Sequence, residues 1–273
     1  MLQRCPVILH TPLAAVAPAT IQQDIKAFLM GGEVTENVYT RAFACMECFG
    51  CGDTGCPRGL DPLAINEIVK WEYRQRFGTP DWFSDPADPA APQRILASIQ
   101  VAPEDYQRLM TPSDREQARY VFFPGCNVYS QPEKVLQALD ILEYLTYDVA
   151  FVPGLDFCCG DAYLFAGDVE QAGAASTRMV NQIAAYRPER VIFWCPTCLC
   201  RFNTTLAPIL DGLDTPLVLQ SFPQFLAEHM LLLPQRDSPP ATVTLHEACK
   251  AAFTGVDRTG AREILRQAGY APG

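Results

Sequence analysis

The sequence predicts an α/β protein, in which a small helical domain precedes a parallel, doubly wound sheet. Residues 117–273 alternate short β-rich runs with stretches of helical period, the rhythm of βαβ units. Each of the first three β-rich runs is followed within a few residues by cysteine. Residues 1–79 form a separate cysteine-rich zone, divided from the rest by a proline- and aspartate-rich stretch over 80–116.

The predicted strands are Tyr120–Phe123, Val149–Val152, Val191–Trp194, Leu217–Leu219 and Val243–Leu245. A helix fits between the first two. Ser130 and Glu133 have the spacing of a capping box, and Val135, Leu139, Leu142 and Leu145 would be its buried stripe. A second helix, with Asp168 as N-cap, would bury Ala172, Ala175, Met179, Ile183 and Tyr186. Parallel strands need such crossovers, so a Rossmann-like sheet is expected. The expected division is 1–79, a linker with one or two short helices over 80–116, and an α/β domain over 117–273.

A faint repeat runs through the α/β zone. A shift of 123 positions lays Cys126 on Cys249, Ile141 and Leu142 on Ile264 and Leu265, and Tyr147 on Tyr270. Each copy reads as strand, cysteine-bearing turn and helix, the second only begun before Gly273.

The net charge of −10 argues against nucleic acid and anionic membrane surfaces as partners. The apolar runs, such as Met230–Leu233, fall far short of the roughly 20 residues of a spanning helix. Pro6, His10 and Pro12 interrupt what would be a signal-peptide core, so a cytoplasmic location is expected. In that reducing compartment twelve cysteines point to metal or redox chemistry before disulfides.

Residues 45–56 read Cys-Met-Glu-Cys-Phe-Gly-Cys-Gly-Asp-Thr-Gly-Cys, followed by Pro57. Cysteines at i, i+3 and i+6 can wrap one iron–sulfur cluster, and Gly50, Gly52 and Gly55 allow the tight backbone. Cys45, Cys48 and Cys51 are therefore predicted ligands of a ferredoxin-type [4Fe–4S] cluster. Two candidates exist for the fourth. The gap before Cys56 is one residue longer than the ferredoxin pattern, whereas Cys5-Pro6 looks like the tail of another motif. The swapped-ligand rule favours Cys5; Cys56 is the alternative. A structural zinc site prefers two separated Cys-x-x-Cys pairs.

The second constellation lies in the α/β zone. Cys126 follows the first predicted strand, Cys158-Cys159-Gly160 the second and Cys195-Pro196-Thr197-Cys198 the third. The carboxyl ends of parallel strands are where open α/β sheets bind ligands. Five thiols sent to one edge have no apolar rationale, although an isolated buried cysteine is ordinary, which suffices for Cys200.

The spacing of Cys126, Cys158-Cys159-Gly160 and Cys195-x-x-Cys198 resembles the cysteine-rich CCG domain. That domain occurs in the catalytic subunit of heterodisulfide reductases and in iron–sulfur subunits of glycolate and lactate oxidation systems. The Cys45–Cys56 segment with Pro57, Arg58 and Gly59 looks like the ferredoxin domain fused or partnered to it. The resemblance implies a noncubane [4Fe–4S] cluster held by Cys126, Cys158, Cys159, Cys195 and Cys198. It also implies flavoprotein or ferredoxin-type redox subunits as partners, with any membrane association peripheral and through a partner. His246-Glu247-Ala248-Cys249 resembles the family's repeated opening, which makes Cys249 the start of a second site.

Other residues fit plainer roles. His246 lies three positions from Cys249 and could approach a cluster, but His10 and His229 read as satisfied surface or core histidines. Arg58 and Lys250 read as solvated charges. No phosphate-binding or dinucleotide fingerprint is present, so flavin or nicotinamide is expected on another subunit. Three functional classes follow: an electron-relay subunit of a heterodisulfide-reductase-like or 2-hydroxy-acid-oxidising complex, an oxidoreductase subunit acting on disulfides, and a zinc-stabilised interaction subunit.

Overall fold

A computed structural model describes residues 5–53, 59–210, 216–232 and 242–270. The chain divides into two compact units: residues 1–83 with 162–172, and residues 84–161 with 173–273.

The first unit is helical. It contains α1 (Pro18–Leu29), α2 (Glu36–Phe43), the short α3 (Gly50–Asp53) and α4 (Pro62–Phe77). Local chemistry sets their starts. Thr35 Oγ1 accepts the Val38 amide at the head of α2, and Asp61 Oδ1 accepts the Leu63 amide at the head of α4. Pro62 then occupies the first helical position, where its missing N–H costs nothing. Ile21, Ile25 and Phe28 of α1 close on Val38, Ala42 and Phe43 of α2 and on Val69 of α4.

Residues 162–172 belong to this unit through aromatic and charged side chains. Trp82 and Phe83 meet Phe165 and Tyr163, with ring centroids 5.6 and 5.7 Å apart. Lys70 Nζ stands 4.0 Å over the Phe165 ring, and Arg74 donates to Asp168 at 2.9 Å.

The second unit begins with α5 (Pro92–Gln100) and α6 (Pro103–Met110). Both start on a proline, so the proline-rich composition here marks helix starts. Ala97 and Leu109 from these helices are fully buried in the core of this unit.

Next come β1 (Tyr120–Phe123), α7 (Pro132–Leu145), β2 (Val149–Phe151), α8 (Asp161–Phe165), α9 (Val169–Ala185), β3 (Arg190–Phe193), α10 (Pro196–Asn203), α11 (Ala207–Leu210), β4 (Val218–Ser221) and α12 (Phe222–His229). The chain then carries α13 (Cys249–Thr254) and α14 (Gly260–Gln267). The four strands make one all-parallel sheet in the order β2-β1-β3-β4.

Alternation along the strands builds two cores. Tyr120 and Phe122 of β1, Phe151 and Ile192 face Leu139 and Leu142 of α7 and Phe225 of α12. Val121, Phe123, Val191 and Phe193 face Met179 and Ile183 of α9 and Phe202 of α10. Both faces of the sheet are covered, as an all-parallel sheet requires.

The predicted α/β class and parallel sheet are present, with corrections at the fifth predicted strand and at α7. Val243–Leu245 is not a strand of the sheet; Val243 makes a single bridge, and its neighbours alternate between half-buried and exposed. The second copy of the repeat therefore keeps a cysteine, a short helix and a longer helix, without the strand. The Ser130 capping box does not form. Ser130 Oγ donates back to the Asn127 carbonyl at 3.1 Å, and Gln131 precedes Pro132 as the N-cap. Leu145 is only partly buried, and Leu136 and Ala138 join the stripe of α7. Asp168 does cap α9, its Oδ1 accepting the Gln171 amide at 3.0 Å.

These cores predict a graded mutational response. Leu142→Ala removes a fully buried side chain and should cost about 2–5 kcal/mol in chemical denaturation. Leu231→Ala, at a position 91% exposed, should be neutral within about 0.5 kcal/mol.

Candidate functional site

Three loops leave the same edge of the sheet, after β1, β2 and β3. They carry Cys126, Cys158-Cys159 and Cys195-x-x-Cys198. Two glycines let the loops interlock. A Cβ on Gly154 would lie 2.3 Å from the backbone of Gly125. A Cβ on Gly125, at φ +81°, would lie 2.8 Å from Cys195 Cβ and Cys198 Sγ. The fully buried Tyr129 fastens this edge further. Its hydroxyl donates to the Leu109 carbonyl at 2.8 Å and accepts the Gly154 amide at 3.2 Å.

The five predicted thiols come together. Cys126 Sγ and Cys158 Sγ are 3.9 Å apart, and Cys159 Sγ and Cys198 Sγ 3.4 Å apart. Cys158 also neighbours Cys159, and Cys198 neighbours Cys195, so the sulfurs run in one row: 126, 158, 159, 198, 195. Cys126 is partly buried and the other four are buried. Gly160 takes the left-handed φ of +88°, the bend expected after the adjacent pair, and its amide donates to Cys158 Sγ at 3.4 Å. Ser176 Oγ of α9 holds the Cys159 carbonyl at 3.0 Å.

The thiols differ in acidity. The Cys126 thiol beside it, with burial, raises Cys158; Cys158 in turn raises Cys159. Cys198 stands well above an ordinary thiol because Cys159 and Cys195 crowd it and burial adds to this. Cys195 is lowered, first by the hydrogen bond from Cys198 and then, against burial, by the amides of Cys198 and Thr197 at the start of α10.

The donor set fits an iron–sulfur group. Five soft sulfur donors exceed the four of a closed zinc shell. Among the described residues no three His, Cys, Asp or Glu side chains are grouped as a single metal ion would require.

A buried charge cluster that the sequence reading missed stands beside this row. Asp161 Oδ1 accepts from Arg201 Nε at 2.7 Å and from Lys250 Nζ at 3.0 Å. Burial opposes ionisation of Asp161, but Lys250 and Arg201 outweigh it and hold its carboxyl below the ordinary carboxylate range. Lys250 is thus buried and ion-paired, which corrects its reading as a solvated charge. The signal in the sequence was Asp161 directly behind Cys-Cys-Gly, with Arg201 in the helix of Cys198 and Lys250 next to Cys249.

The other sites separate. In the first unit Cys45, Cys48 and Cys51 are partly buried, and the Cys51 thiol is raised by burial and then by Cys45. Glu47 and Phe49, on either side of Cys48, take left-handed φ values of +49° and +67° that wind the loop tightly. Glu47 is buried against Lys70 at 2.5 Å. Cys5 packs at the margin of the first core. Cys56 and Arg58 lie outside the described residues. Cys249 and His246 are exposed, as is His10. His229 Nδ1 donates to the Phe225 carbonyl, 2.7 Å away, and the ring stacks on that of Phe225. Cys200 is a fully buried core residue.

The fold thus defines an α/β domain whose parallel sheet carries a thiol-lined edge. Residues 120–203 match the family model of the CCG cysteine-rich domain, and the chain carries that domain there. The match spans the five thiols and is consistent with iron–sulfur or metal binding. No curated protein and no solved structure matches the chain. No helix among the described residues is long and apolar enough to cross a membrane.

Asp161→Asn tests the charge cluster. With Arg201 and Lys250 left in the interior, the loss at neutral pH should be on the order of 3 kcal/mol. The folded carboxyl is lowered relative to the unfolded one, so the stabilisation holds above an unfolded value of about 3.9 and is lost as pH falls through the folded one. Urea titrations should show the gap between variant and parent narrowing below about pH 4. A gap that widens with acid contradicts the ion-pair assignment.

Proposed function

We propose that the chain is an iron–sulfur electron-relay subunit of a heterodisulfide-reductase-like complex. The observation that carries this is the row of five thiols at one sheet edge, with sulfurs 3.9 and 3.4 Å apart and all five inside the residues that the CCG model matches. Cys126, Cys158, Cys159, Cys195 and Cys198 would hold a noncubane [4Fe–4S] cluster. Cys45, Cys48 and Cys51, with Cys5 as fourth ligand, would hold a ferredoxin-type [4Fe–4S] cluster.

Bound at these sites, such clusters supply one-electron transfer. The protein's contribution is to fix and shield them. Val152, Phe193 and Phe202 back the thiol row and keep water from it. The Gly160 amide, aimed at Cys158, stabilises negative charge on that sulfur. Lys250 and Arg201 place two buried cations around Asp161, which follows the Cys158-Cys159-Gly160 turn. Metal uptake would displace protons from the raised Cys158, Cys159 and Cys198 thiols. Cys249 is exposed and joins no second thiol row among the described residues, which supports relay over two-cluster disulfide chemistry. The partners this implies are flavoprotein or ferredoxin-type redox subunits. An iron–sulfur subunit of a flavin-linked glycolate or lactate oxidase would use the same sites.

The test is anaerobic reconstitution of the full chain with iron and sulfide. It should then pass electrons from a low-potential donor to a one-electron acceptor without sustained reduction of small disulfides. Continuous disulfide turnover contradicts the relay reading, and zinc uptake without acid-labile sulfide contradicts any redox reading.

Separate Cys5→Ser and Cys56→Ser chains assign the fourth ligand. Cys5→Ser should lose the reduced-state EPR signal of the ferredoxin-type cluster, with Cys56→Ser retaining it. The opposite pattern assigns Cys56.

A further inference from the structure

Arg41 lies in the last turn of α2, two residues before that helix ends and four before Cys45. It is 9% exposed, and its Nε is buried without a hydrogen-bond partner. One guanidinium nitrogen, Nη1, donates to Asn66 Oδ1 at 3.0 Å. Asn66 Nδ2 in turn donates to the Ala42 carbonyl at 3.1 Å, so the guanidinium is anchored by a neutral amide. No carboxylate among the described residues pairs with it. The loop's own carboxylate, Glu47, is held by Lys70.

A guanidinium does not shed its proton in a protein. Its charge is therefore present in the interior, and a buried charge left unpaired is strongly unfavourable. The C-terminal dipole of α2 offers partial compensation. Yet Arg41 hydrogen-bonds none of the last carbonyls of that helix among the described residues, its one bond going to Asn66. Asn66 stands one turn before Lys70 in α4, and Lys70 holds Glu47 of the cysteine loop, so Arg41 is anchored on the helix that braces that loop. Three thiolates around inorganic sulfide and iron make an anionic group, and Arg41 is placed where that charge would be answered.

We propose that Arg41 is the buried counter-ion of the iron–sulfur group held by Cys45, Cys48 and Cys51, a positioning residue that raises its reduction potential. This deepens the reading of those cysteines as a cluster site and rests on it. With the group bound, the anchored cation stabilises the added negative charge of the reduced state. Without it, Arg41 is a buried charge with no carboxylate partner among the described residues, and its removal should not weaken the fold.

The experiment compares the full-length parent chain with Arg41→Met and Arg41→Lys. Each is reconstituted with iron and sulfide and titrated by EPR, and each is melted metal-free. The expected result has three parts. Arg41→Met shifts the ferredoxin-type midpoint to more negative potential, or fails to take up iron at that site. Arg41→Lys stays near the parent. Metal-free Arg41→Met melts no lower than the metal-free parent. An unmoved midpoint in a loaded Arg41→Met chain overturns the proposal. So does a fall in metal-free melting temperature in both variants, which assigns Arg41 a packing role, or failure of both variants to load. Failure of the underlying site is distinguishable, because the parent chain itself would then give no ferredoxin-type signal.

Discussion

Tyr120, Val149 and Arg190 are register partners across three adjacent parallel strands, so the loops after β1, β2 and β3 leave the sheet side by side. The thiol row depends on that register. A slip of one residue in any strand would turn its side chains to the opposite face and move its cysteine out of line. Gly154 against the Gly125 backbone, and Gly125 against the Cys195 and Cys198 side chains, then hold the three loops in close contact. The sheet sets the direction of each loop and the glycines set the depth at which the sulfurs meet.

The charged groups follow from this packing. Thiols crowded in the interior resist ionisation, as the raised Cys158, Cys159 and Cys198 do. A domain that is to hold thiolates needs positive charge or amide donors nearby. The amides at the start of α10 answer that need at Cys195 in the second unit, and the Gly160 amide at Cys158. Lys70 and Arg41 lie beside the Cys45–Cys51 loop in the first.

Much of the sheet was legible in the sequence, because short continuous runs of Val, Phe and Ile bounded by Pro, Gly and Cys read as strands buried on both faces. Asp168 was legible as a cap for the same local reason. The failures are also physical. Val243–Leu245 has strand composition, but without burial on both faces composition does not recruit it to a parallel sheet. Ser130 had the spacing of a capping box, yet Pro132 started the helix one residue later. The segment 162–172 belongs with residues 1–83 through Tyr163, Phe165 and Asp168, contacts too distant in sequence for periodicity to reveal. At the site, the cysteine spacing named all five row thiols. The burial of Lys250, Arg201 and Asp161 was hidden, since a charged residue beside a cysteine gives no sign of being interior until the fold is known.

The central claim is that the sheet edge gathers five thiols around one iron–sulfur cluster. It is tested most directly in a chain with Cys45, Cys48 and Cys51 replaced by serine, so that only the second site remains. After anaerobic reconstitution, iron, sulfide and zinc are measured, and cysteine alkylation is mapped by mass spectrometry. The account predicts iron and sulfide in equal amounts, with Cys126, Cys158, Cys159, Cys195 and Cys198 all protected and Cys249 alkylated. Zinc without sulfide, or one of the five left as reactive as Cys249, would contradict it.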